Sequence, residues 1–140
     1  MQTGIYVWFG YTIPIKERLK LIASTGFNNI SFWWGDQYIN IDGPKEILPE
    51  MARQAGLYIE NIHTDYERTN LLWIDKIDWE NIFNRYMESI EACFCHQIPT
   101  MVLHLTNGDN PPAPNELGIS RLMRLVEHAE KRNIFMNAVL

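Results

Sequence analysis

The chain has 140 residues, 46% hydrophobic and 21% charged, with a net charge of −5. That balance excludes a disordered segment, and a chain of this length buries roughly two thirds of its unfolded surface. An acidic chain without a run of Lys or Arg argues against a dedicated nucleic-acid or membrane-surface binder.

Ile5 to Phe9 is a β-branched and aromatic run closed by Gly10, and is read as the first strand. Ile15 to Ser24 follows as a helix, with Leu19, Ile22 and Ala23 on one face and Lys16, Glu17, Arg18 and Lys20 mostly elsewhere. Pro14 suits its start and Gly26 its stop. Asn29 to Trp34 is the second strand, Pro44 to Ala55 the second helix, and Leu57 to His63 the third strand. Asp78 to Cys95 is the longest helix, with Asp78 as its cap and a stripe of Ile82, Tyr86, Ile90 and Phe94. Thr100 to Thr106 is the fourth strand. A helix opened by Asn115 or Ser120 runs to Lys131, with Leu122, Leu125, Val126 and Ala129 inward, and Ile134 to Leu140 is the fifth strand.

Strands alternating with helices imply right-handed parallel crossovers. The helix-to-strand junctions Ala23–Phe27, Ala52–Leu57 and Ala129–Ile134 resemble one another, as in a (β/α) barrel. Long polar loops precede the helices (35–43, 64–77 and 106–116) while short ones follow them, which marks the carboxyl rim of the strands as the functional face. The expectation is one α/β domain over 1–140, a partial barrel of four to five β/α units.

Two strands finish on histidine, at His63 and His104. An imidazole at such a rim can bind a metal, move protons near neutral pH, or hydrogen-bond a hydroxyl; the alternative is a partly buried ring bonded to a loop carbonyl. His96 and His128 are expected to be solvated. Asp36, Asp65, Glu67 and Asp109 lie in rim loops, where solvated or capping roles are common. Glu60, an odd number of residues from His63, is expected to face the helices in a salt bridge. These residues assemble no complete metal site. Trp8, Trp34 and Trp73 fall at rim positions from which they could stack on a sugar ring, with core packing as the other reading and Trp33 competing with its neighbour for the rim. Cys93 and Cys95, on different faces of one helix, are read as buried apolar residues and as reduced thiols suited to a cytoplasm. The first residues carry no leader pattern, and no apolar run reaches the ~20 residues that span a bilayer. Nucleotide-binding and serine-hydrolase motifs are missing.

The ordered set Glu17–Phe27, Phe32–Asp36, Gly56–His63, Asn70–Asp75, Pro99–Thr106 and Ala129–Lys131 resembles the sugar phosphate isomerase/epimerase family of xylose isomerase-like TIM barrels. His63 and His104 also match the positions after the third and fourth strands where the similar endonuclease IV-type enzymes carry metal-binding histidines. The resemblance implies a divalent cation (Mg, Mn or Zn), a sugar or sugar phosphate as partner, and a substrate-binding set of His63, His104, Trp8, Trp34 and Trp73. In the family the metal carboxylates come from the fifth to eighth strands; here the fifth reads Ile134 to Leu140 with Asn137 and without Glu. The chain is therefore expected to be the N-terminal half of such an enzyme, inactive alone. The alternatives are a non-catalytic half-barrel that assembles with itself or with a C-terminal half, and an endonuclease IV-like repair fragment, which the acidic balance disfavours.

Overall fold

The structure, a computed structural model, describes residues 3–139. Met1, Gln2 and Leu140, which the sequence reading used at the two ends, lie outside the described residues. The residues group into two compact units, the first ending at His63 and the second beginning at Thr64.

The first unit contains β1 (Gly4–Tyr6), α1 (Ile15–Ser24), β2 (Asn29–Trp34), the short α2 (Ile39–Asp42), α3 (Leu48–Gln54) and all but the last residue of β3 (Tyr58–Thr64). β1 and β2 pair in parallel, with Gly4 opposite Asn29 and Tyr6 opposite Ser31. The core gathers Ile15, Leu19 and Ile22 of α1, Ile30, Phe32 and Trp34 of β2, Leu48 and Ala52 of α3, and Ile59 and Ile62 of β3. The second unit contains α4 (Trp79–Cys95), β4 (Thr100–His104), α5 (Glu116–Glu130) and β5 (Phe135–Val139). β4 and β5 are parallel, from Thr100 opposite Phe135 to His104 opposite Val139. Its core is built on Ile82, Tyr86, Ile90, Cys93, Met101, Leu103, Leu125 and Ala129. Strand order follows chain order, β1-β2-β3-β4-β5, so the expected parallel β/α repeat is present.

The junctions after α3, α4 and α5 share one physical cause. After α3, α4 and α5 a residue enters the left-handed region, at Gly56 (φ 78°), Gln97 (φ 53°) and Asn133 (φ 56°). The next residue then donates its N–H back into the helix: Leu57 to Ala52 O (3.0 Å), Ile98 to Cys93 O (2.8 Å) and Ile134 to Ala129 O (3.0 Å). Such a turn satisfies carbonyls left over at the helix end and aims the chain into the next strand. Asn115 caps α5 by accepting from Gly118 N at 2.9 Å, so the helix opens there and not at Ser120.

Several expectations are corrected. β1 stops at Tyr6 rather than Phe9, and the Gly35–Gly43 loop holds a 3-10 turn and α2. α3 starts at Leu48, because Lys45–Ile47 tightens into a 3-10 turn after Pro44. Asp78 does not cap α4 through its side chain, which instead accepts from Arg68 at 2.7 Å. Arg18 lies on the buried face of α1, and Phe94 is exposed. Cys93 is buried but Cys95 is exposed. Glu60 is exposed, because the burial alternation slips between Ile59 and Ile62 and leaves Glu60 open and Asn61 half-buried. His128 is bonded to Glu91 at 2.5 Å. Among the described residues no helix is long and apolar enough to cross a membrane.

Candidate functional site

In the first unit β2 is two-sided. Phe32 and Trp34 point to the core, at 1% and 5% exposure, while Ser31 and Trp33 are half-buried. The period of two decides between the adjacent tryptophans: Trp34 packs inside and Trp33 lies on the more open side. There the Trp33 ring stacks on His63 at 5.6 Å and 21°, and Tyr6 meets the same imidazole edge-on at 6.2 Å. Ser31 Oγ donates to Asn61 Oδ1, the two residues lying two positions before Trp33 and His63 respectively. Tyr6, Trp33 and His63 thus form a half-buried aromatic and imidazole surface where β2 and β3 end.

The following segment folds back on this surface. Trp33 Nε1 donates to Gln37 Oε1 at 2.7 Å. Gly35 permits that bond, since a β-carbon there would overlap Gln37 Oε1 and come within 2.7 Å of Trp33 Nε1. Tyr38 stacks on Trp8 at 4.6 Å, and Arg18 places its guanidinium 5.1 Å from the Trp8 ring centroid. Arg18 is fully buried, donating to both Asp42 carboxylate oxygens (2.9 and 3.0 Å) and to Ile13 O (2.7 Å). Trp8 is therefore held in a packed corner beside a cavity of only about 20 Å³. Asp36 is paired with Lys45 at 2.6 Å.

In the second unit His104 ends β4 half-buried, with the Tyr66 ring 4.9 Å away. Its carbonyl accepts from Tyr86 Oη at 3.0 Å, and burial pushes the Tyr86 phenol up to about 12. Trp73 is 4% exposed: its indole donates to Leu105 O at 2.6 Å and its ring lies on Gly118. Arg121 donates to the carbonyls of Leu71, Leu72 and Ile74, while Asn70 and Asn107 bond reciprocally at 2.6 and 2.8 Å. These ties stiffen the loops around His104. Asp65 is engaged by Arg85 at 3.1 Å, and Asp109 is exposed.

Of the expected binding residues, His63 and His104 stand half-buried at strand ends, Trp8 is braced by Tyr38 and Arg18, and Trp34 and Trp73 are core residues. Among the described residues no three His, Cys, Asp or Glu side chains cluster as a metal site. The side chains present do not fit the divalent cation that the resemblance implies. The sequence alone leaves Trp33 and Trp34 as alternatives for the rim and puts Trp34 in the binding set; the half-buried Trp33 is the one that stacks on His63, which the strand period decides once the register is known. Sequence reasoning missed Arg18, whose position three residues after Ile15 and four before Ile22 was a signal of burial.

No family profile matches the chain, and no curated protein matches its sequence. Solved structures do match. An L-ribulose 3-epimerase superposes with a TM-score of 0.70 at 18% identity, over 99% of this chain and 49% of its own. D-psicose 3-epimerase from Clostridium cellulolyticum H10, solved with D-tagatose, gives 0.70 at 17% identity, over 100% and 53%. A xylose isomerase-like TIM barrel/4-hydroxyphenylpyruvate dioxygenase fusion protein gives 0.71 at 18% identity, over 99% of this chain and 21% of its own. The chain spans about half the length of the epimerases it matches. Identities this low speak to architecture alone: the chain has the parallel α/β fold of about half of a TIM barrel, as in these structures.

Proposed function

We propose that the chain is the sugar-side half of a sugar isomerase or epimerase: it binds a polyhydroxylated sugar at its strand ends and does not turn it over alone. The observation that carries this reading is the Trp33–His63 stack in a chain with the fold of sugar epimerases. A flat ring beside a hydrogen-bonding imidazole suits a ligand with apolar ring faces and hydroxyl edges, and binding sites combine apolar walls with a few polar groups in this way. His104 and Tyr66 are the corresponding pair of the second unit. The metal-holding and proton-moving carboxylates of such an enzyme would come from outside these residues, which supports inactivity of the isolated chain.

The test is an NMR titration of the whole chain with D-psicose, D-tagatose and D-fructose, alongside a turnover assay with Mg²⁺ or Mn²⁺. Shifts at Trp33 and His63 without epimerised product are the expected result. Absence of any shift at those residues overturns sugar binding, and product formed by the bare chain overturns the claim of inactivity.

One observation favours a companion reading, assembly with a complementary half or a second copy. β5 is exposed at every residue but Met136, with Phe135 at 72% exposure, whereas an interior strand of a parallel sheet is covered on both faces. Sedimentation velocity over a range of concentrations tests self-assembly, and a monomer throughout removes the second copy.

A further inference from the structure

We propose that Gln37 plugs a hydroxyl-binding slot between Gly35 and Trp33, and that a ligand hydroxyl enters by displacing its side-chain amide. The inference rests on the sugar-binding reading above and names a subsite and a competing residue within it.

An indole has a single donor, so its N–H serves one acceptor well at a time. In Trp33 that donor is occupied by Gln37 Oε1 at 2.7 Å. The space around the bond is created by a missing side chain. Gly35 has φ −158° and ψ 164°, extended backbone open to any residue, so its conformation does not call for glycine. The demand is spatial: a β-carbon would overlap Gln37 Oε1 and lie 2.7 Å from Trp33 Nε1. The slot therefore admits one oxygen against the indole edge, beside a ring whose face stacks on His63. A neutral amide oxygen occupies it now; a sugar hydroxyl has the acceptor chemistry and the size to replace it.

The backbone carrying Gln37 is pinned on both sides. Asp36 is held by Lys45 at 2.6 Å, and Tyr38 is stacked on Trp8 at 4.6 Å. Gln37 itself is exposed. Displacement then needs only a side-chain rotation, with no movement of the segment. An exposed hydrogen bond of this kind is worth about 0.5–1.5 kcal/mol net, so the plug costs a ligand roughly two- to tenfold in affinity.

The experiment follows the indole and side-chain amide resonances of the full chain during titration with D-psicose, for the unsubstituted protein, Gln37→Ala and Gly35→Ala. Trp33→Phe assigns the Trp33 indole, and far-UV circular dichroism checks folding. In the unsubstituted protein the Trp33 indole and the Gln37 amide shift together as sugar is added. Gln37→Ala binds about two- to tenfold more tightly, since the competitor is gone. Gly35→Ala changes the opposite way and loses binding, since its methyl fills the slot. Sugar binding that is unchanged or weakened in Gln37→Ala overturns the plug while leaving the sugar-binding reading standing. Folded variants that all fail to bind sugar overturn that reading and the plug with it. Binding retained in folded Gly35→Ala overturns the slot.

Discussion

Trp73 lies flat on Gly118: a β-carbon on that glycine would overlap the indole, falling within 2.7 Å of its Cδ2 and Cζ3. The contact seats the first turn of α5 on the loop before α4, and the same indole donates to Leu105 O. Helical glycine normally costs about 1 kcal/mol relative to alanine, so Gly118→Ala should stabilise an isolated helix. In this chain overpacking wins. Gly118→Ala is expected to lower stability by about 1–3 kcal/mol and to shift the Trp73 indole resonance, measured by urea unfolding and NMR. A stabilised variant would show that the ring can move aside.

Arg18 and Asp42 form a buried pair, with side-chain exposures of 1% and 10%. Removing one partner strands the other charge. Asp42→Ala is expected to cost about 3–5 kcal/mol, whereas Arg18→Met with Asp42→Leu together should cost less than Asp42→Ala alone. Denaturant unfolding of the three variants checks that order.

Cys93 and Cys95 should differ sharply in reactivity. Cys93 is buried, which pushes its thiol up to about 12, and its Sγ lies 3.8 Å from Thr100 O. Cys95 is exposed. A thiolate-directed reagent at pH 8 should label Cys95 alone in the native chain and both residues in denaturant, as read by mass spectrometry. Native labelling of Cys93 on the same timescale would contradict the packing of α4 against β4.

Glu91 of α4 pairs with His128 in the last turn of α5 (2.5 Å) and with Arg132 just beyond it (2.7 Å). The Arg132 hydrogen bond, followed by that from His128 against an opposing desolvation, holds its carboxyl below the ordinary 4.5. A carboxylate with a depressed folded pKa contributes stability that is complete above the unfolded value and is lost as pH falls through the folded one. Urea midpoints should therefore decline from about pH 4.5 downward. Glu91→Gln should flatten that limb while lowering the midpoint only slightly at pH 7, because the pair is partly exposed and surface pairs contribute little.

The histidines illustrate what periodicity can and cannot locate. The ends of the third and fourth strands were legible from apolar runs closed by polar residues, and His63 and His104 do end β3 and β4 or stand one residue short of the end. The tryptophans were not legible in the same way. Trp33 and Trp34 are equally apolar, and only the register of β2 decides which one meets His63. Periodicity places Arg18 mostly off the apolar face of its helix, and the partner that lets it be buried, Asp42, lies 24 residues away in sequence.

Local chemistry written in the sequence therefore determined the order of strands and helices, the repeated turns after Ala52 and Ala129, and the histidines at strand ends. Tertiary structure alone decided that Trp33 faces outward beside His63, that Gly35 leaves room for the Gln37 amide, that Trp73 is core, and that Arg18 is buried. The reason is physical: turns and periodicity arise between residues a few positions apart, whereas stacking, burial of charge and steric slots depend on neighbours brought together by folding.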